Sequence, residues 1–165
     1  MIVIEDGSLT EPNANSYIDE DTLRTYAALR GVDLYDLSDA EVAVALIKAM
    51  DYTESLRDRY DGERTSPMQP LQWPRSGVMI NNLQWDENEI PRELIYAQCA
   101  LAMEAMNFDL QPNPSDKGSV IREKVGGLEV VYAEKARTSP IAAFSKPESL
   151  LQVLFKNRGL SFVRT

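Results

Sequence analysis

Residues 91–108 read PRELIYAQCALAMEAMNF, and this stretch decides the fold. Pro91 suits the first position of a helix, where its missing N–H would have had no partner anyway. From Leu94 to Met103 only Gln98 is strongly polar, so apolar groups run nearly all the way round. A helix without a polar face has to be covered on several sides. In a chain of 165 residues two arrangements achieve that. Either this is the central helix of the domain, or one of its faces meets another subunit. Ala97, Ala100, Ala102 and Ala105 are small enough for neighbouring helices to come close.

Working outward, the clearest neighbour is a helix over 39–60. Ser38 and Glu41 form a capping box at its start. Val42, Leu46, Ala49 and Met50 recur at helical spacing, as do Ala45, Ala49, Tyr52 and Leu56. A further helix is expected over 19–30, with Asp19, Glu20 and Asp21 at its positive end, Leu23, Tyr26, Ala27 and Arg30 as candidates for one face, and Gly31 as its stop. Residues 1–18 read as an extended segment broken at Gly7 and Pro12–Asn15.

Residues 63–89 hold Pro67, Pro70, Pro74, Gly77 and the Asn81-Asn82 pair, and read as irregular. A loop of that length is functional or packs with its own side chains. Trp73, Arg75 and Trp85 are its candidate anchors to the core or to an interface.

Beyond the decisive helix, 109–118 reads as a linker. Ser119–Val125 and Leu128–Ala133 read as two strands turning at Gly126-Gly127, a hairpin that needs a further surface to be stable. Residues 134–147 are linker-like. A short amphipathic helix follows at Glu148–Asn157, carrying Leu150, Leu151, Leu154 and Phe155. The expected fold is mainly α: a small helical bundle with a β-hairpin and an extended C-terminal arm ending in a short helix. Residues 1–133 form the core domain and 134–165 the docking arm.

Catalytic chemistry is hard to place on this chain. It has no histidine and one cysteine, Cys99, set in an apolar run where a buried inert thiol is expected. Nucleophile–histidine sites and histidine-containing zinc sites are thereby excluded. Asp58, Asp61 and Glu63 lack the spacing of a calcium loop and read as a solvated turn. No phosphate-binding glycine loop is present, and a carboxylate-dependent hydrolase is the weakest of the readings. No cofactor and no metal is expected. The start is too short and acidic for a signal peptide, and no apolar run approaches the roughly 18 residues of a membrane span. Synthesis in the cytosol, with no membrane partner, is expected.

The net charge is −9 and unevenly spread. Residues 1–63 carry 5 basic and 15 acidic side chains, residues 119–165 carry 8 and 4. An acidic body weighs against a firm grip on DNA phosphates. The seven tyrosines show no clustering with basic residues along the sequence, as a base-stacking platform would require. Trp73-Pro74-Arg75 could stack a base, but its surroundings are nearly neutral. Unlike charges at the two ends suit a heterologous interface between subunits. Its basic side would be Lys135, Arg137, Lys146, Lys156 and Arg158, and its docking face Leu150, Leu151, Leu154 and Phe155.

Several segments together resemble a family of small tailed-bacteriophage proteins. They are Asn15-Ser16-Tyr17, Tyr26 with Arg30-Gly31, Ala45-Leu46-Ile47 with Ala49 and Asp51-Tyr52, Leu71-Gln72-Trp73-Pro74-Arg75 with Gly77-Val78, Ile90-Pro91, and Glu123-Lys124-Val125-Gly126 with Leu128, Val130 and Tyr132. The family is labelled DnaT-like single-stranded-DNA-binding, and its members look like head-to-tail connector adaptors. The resemblance implies a structural adaptor in the virion, a ring of twelve subunits between the portal protein and a tail or stopper protein. Genomic DNA would pass through the ring without specific binding. It also implies an alternative, a single-stranded-DNA-binding accessory of replication or packaging.

Overall fold

The protein is described by a computed structural model covering residues 1–111, 122–125, 128–131 and 145–156. Four helices carry the fold: α1 (Glu20–Ala28), α2 (Asp39–Ser55), α3 (Arg92–Ala105) and α4 (Ser145–Leu151). One 3-10 turn, Gln152–Leu154, follows α4. Between α2 and α3 run four two-residue strands, β1 (Glu63–Arg64), β2 (Arg75–Ser76), β3 (Met79–Ile80) and β4 (Leu83–Gln84). The domain is thus mainly α with small antiparallel pairs. No helix among the described residues is long and apolar enough to cross a membrane.

α3 is the central helix, packed against α1, α2 and α4. Leu94, Ala97, Cys99, Leu101 and Ala102 have no exposure at all. This resolves the choice posed by its sequence: the chain covers most of its own apolar helix. Gln98, the polar interruption, is equally buried and is fully used. Its Oε1 accepts from the Tyr17 N–H at 3.1 Å, and its Nε2 donates to Ser16 Oγ at 2.7 Å and to the Leu46 carbonyl at 3.4 Å. A buried amide satisfied in this way costs little, whereas an unpaired one would cost several kcal/mol, roughly 2–7.

The capping box of α2 is present, with Ser38 Oγ accepting from the Glu41 N–H and Glu41 Oε2 accepting from the Ser38 N–H. α2 stops at Ser55 rather than near residue 60, because Leu56, Arg57 and Arg59 switch to bonds three residues back. Those tight turns swing Tyr60 into the core, where its hydroxyl donates to the Thr53 carbonyl at 3.1 Å. α1 and α3 likewise end short of the expected 30 and 108.

Residues 63–89 are more regular than expected. β1 pairs with β2, and β3 pairs with β4 across Asn81 and Asn82, both at positive φ (52° and 63°). Two consecutive positive-φ residues make the primed hairpin turn that matches strand twist, and asparagine is among the few side chains that tolerate it. The downstream hairpin is also present. β5 (Arg122–Val125) pairs antiparallel with β6 (Leu128–Val131), Val125 lying opposite Leu128. Gly126-Gly127 and the outer ends of the expected strands lie outside the described residues.

The C-terminal helix departs most from expectation. It begins at Ser145, ahead of Pro147, which sits in the first turn where no N–H is needed. Leu151 and Leu154 are fully buried in the chain's own core, and Leu150 and Phe155 pack against it. The Asp61 N–H donates to the Leu154 carbonyl at 2.9 Å, and the Lys156 N–H to the Arg59 carbonyl at 2.8 Å. Arg59 pairs with Glu148 at 3.2 Å and lies 4.0 Å over the Phe155 ring. Residues 145–156 therefore belong with the core, and a boundary at 133/134 does not set them apart as a free arm.

Candidate nucleic-acid interface

α3 carries an arginine and a tyrosine four residues apart, Arg92 and Tyr96, one helical turn, so that pair shares a face. Tyr26 stands on α1, and Arg30 pairs with it from the turn just past the end of that helix. The contact between the two helices brings the pairs together. The Tyr26 and Tyr96 rings lie 5.5 Å apart, tilted by 54°. The Arg30 guanidinium sits 3.4 Å over the Tyr26 ring and 5.6 Å from that of Tyr96, and it donates to the Tyr26 carbonyl at 3.0 Å. Arg92 stands 5.9 Å from the Tyr96 ring.

Exposure divides the roles within this cluster. Tyr26 is buried, and burial pushes its hydroxyl's pKa up. It is the floor. Tyr96 is 38% exposed, and both arginines reach solvent. The partner of Arg92, Glu93 at 3.6 Å, leaves the arginine side chain 73% exposed. A half-open ring flanked by two guanidinium groups can stack a nucleobase while the cations meet neighbouring phosphates. The tyrosines do cluster with cations after all, and the correction has a plain cause: the sequence shows each pair, but only the α1–α3 contact joins them. Cys99, nearby on α3, is buried, and its thiol is pushed up to about 12 by that burial, so it is no nucleophile.

The tryptophan loop is built in the opposite sense. Trp73 has no exposure, follows the Tyr60 ring edge-on at 5.9 Å, and is joined to Pro74 by a cis peptide bond. Its N–H donates to the Tyr17 hydroxyl at 3.0 Å; that hydroxyl faces Glu54 Oε1 at 3.4 Å, which also accepts from the Gln72 N–H at 2.9 Å. Arg75 is 6% exposed. Its donors reach the carbonyls of Asp61 at 2.7 Å and Gly62 at 2.6 Å, and Gln72 Oε1 at 3.2 Å. Trp73 and Arg75 thus tie the loop to the core and offer no base-stacking face. Trp85 is half-buried, its indole N–H donating to the Glu89 carbonyl at 3.0 Å. Burial raises the pKa of Glu54, against hydrogen bonds from Gln72 and Tyr17 that hold it down.

Of the expected docking residues, Lys146 and Lys156 are exposed, and Lys156 also donates to the Asp58 carbonyl at 3.3 Å. Leu151 and Leu154 are withdrawn from any docking role by their burial, and Leu150 and Phe155 are half-withdrawn. Lys135, Arg137 and Arg158 lie outside the described residues. Among the described residues no group of three or more carboxylate or thiol side chains is placed to hold a metal ion.

A family model described as "Putative DnaT-like ssDNA binding protein" matches residues 1–165. No curated protein and no solved structure matches the chain.

Proposed function

The chain belongs to the putative DnaT-like ssDNA binding protein family, and from that premise we propose that it binds single-stranded DNA through the Arg30–Tyr26–Tyr96–Arg92 cluster. The observation that carries this reading is the half-exposed Tyr96 ring with two solvent-reaching guanidinium groups 5.6 and 5.9 Å from it. It requires no catalytic step, and none is assigned. A net charge of −9 limits the grip to local contacts. Two phosphates neutralised on a single strand give a logarithmic salt slope of about −1.4, far shallower than that of a basic groove. Stacking on Tyr96 contributes about 1–3 kcal/mol. Fluorescence anisotropy with a labelled oligonucleotide across a salt series tests it. A shallow slope and loss of binding in Tyr96→Ala and Arg30→Ala are expected; no binding at low salt overturns it.

A second reading is favoured by the segregation of charge, acidic over 1–63 and basic over 119–165. Unlike ends suit head-to-tail association, and a rotation that closes gives a ring. In this reading the chain is a structural adaptor at the head–tail junction of a phage virion, between portal and tail, with DNA passing through the ring. Electron micrographs of the purified protein decide it: particles with rotational symmetry support the adaptor, a strict monomer removes it.

A further inference from the structure

A second site lies beside Arg92. A cavity of about 400 Å³ opens between the N-terminal segment, the 85–90 loop and the first turn of α3. Its walls are apolar and aromatic, formed by Ile4, Ile90, Ile95 and Trp85. Glu5 also lines it and is 1% exposed. One Glu5 oxygen accepts from the N–H groups of Gly7 and Leu9, at 2.9 and 3.2 Å. The other, Oε2, is buried with no partner among the described residues. A buried carboxylate oxygen without a donor is costly, so its persistence calls for an explanation.

The backbone around it is held tightly. Gly7 adopts φ +102°, and any side chain there would collide with the Asn88 carbonyl. The N-terminal turn is therefore wedged against the 85–90 loop. Two more acids, Asp6 and Glu89, line the same cavity, and hydrogen bonding from Ser8 holds the Asp6 carboxyl below the usual range. Arg92 lines the cavity too, 3.6 Å from Glu93 and 5.9 Å from the Tyr96 ring, so that among the described lining residues the acids Glu5, Asp6 and Glu89 outnumber the one cation.

We infer that this cavity receives a cationic side chain, arginine in preference to lysine, presented by another polypeptide. The head group would donate to Glu5 Oε2 and lie against the Trp85 ring. The chemistry selects the ligand. A hard metal ion takes about six oxygen ligands, and the described residues place no group of three or more carboxylate or thiol side chains to hold one. An organic cation gains both from a desolvated carboxylate and from an aromatic face. Guanidinium adds a flat surface that stacks on indole and is the more weakly hydrated of the two cations.

The full chain is titrated with the blocked tripeptides Gly-Arg-Gly, Gly-Lys-Gly and Gly-citrulline-Gly, and separately with calcium chloride, following the heat of binding by calorimetry in every variant and the Trp85 indole resonance wherever Trp85 is present. The arginine peptide should shift that resonance saturably, with the citrulline peptide at least about tenfold weaker for want of the charge. Glu5→Gln should weaken arginine binding by about the same factor. Should that variant fail to fold, Trp85→Leu, which leaves Glu5 in place, should still weaken it several-fold. Citrulline binding as well as arginine, undiminished binding to Glu5→Gln or to Trp85→Leu, or calcium displacing the peptide would each overturn the inference.

Discussion

Two arginine–aromatic groups, some distance apart in sequence, teach opposite lessons. In the loop, Arg75 stands near Tyr60 and beside Trp73; at the α1–α3 contact, Arg30 and Arg92 flank Tyr96. The residue types are nearly the same. What differs is where the guanidinium hydrogen bonds go. Arg75 directs its donors to the carbonyls of Asp61 and Gly62 and to Gln72, which fastens the loop and leaves little for a ligand. Arg30 gives one bond to the Tyr26 carbonyl of α1, and its side chain is exposed. The conspicuous motif is therefore structural and the inconspicuous one is available.

The comparison breaks most visibly at the loop. Trp73→Ala should cost about 3–5 kcal/mol by chemical denaturation, as for other fully buried large aromatics; a change below about 1 kcal/mol would mean the loop is not anchored there. Leu154→Ala should cost about 2–5 kcal/mol, because residues 145–156 are core. A near-neutral result in the same measurement would restore the picture of a detachable arm. Tyr96→Ala should behave inversely. Its stability should fall by less than about 1 kcal/mol, while oligonucleotide binding weakens by about 1–3 kcal/mol.

The smallest effect is a pH effect. Glu54 titrates higher in the folded chain than its ordinary value of 4.5. The folded state thus holds that proton more tightly, so the contribution of Glu54 to stability is fully present below pH 4.5 and is lost as pH rises through the folded value. Glu54→Gln should remove this loss. Melting curves of the two proteins should diverge from pH 4 upward, and parallel curves would show that Glu54 is not desolvated.

How far the sequence foretold this depends on whether a feature is local. The apolar run of α3 and the Ser38–Glu41 box are local, and both appear in the structure. The β3–β4 turn was equally local, since paired asparagines between Met79-Ile80 and Leu83-Gln84 are a hairpin signal; the surrounding prolines obscured it. The partner of α4 was not local. Amphipathic spacing states that Leu151 and Leu154 are covered, not by what, and here the cover is the chain's own core. The Tyr–Arg cluster failed for the same reason, because its two halves are 66 residues apart, Arg30 to Tyr96.

Gln98 has a further consequence. The alanines at 97, 100, 102 and 105 give α3 a smooth flank, and smooth helices can slide past one another by a turn at little loss of burial. Gln98 prevents it. A one-turn slip would strand its amide and, with it, the Tyr17 N–H, the Ser16 hydroxyl and the Leu46 carbonyl. A leucine of similar size would fill the space as well yet leave the slipped arrangement within reach. The glutamine acts as a key that only one alignment of the bundle fits, and its contribution lies less in depth of the energy well than in the absence of a second well beside it.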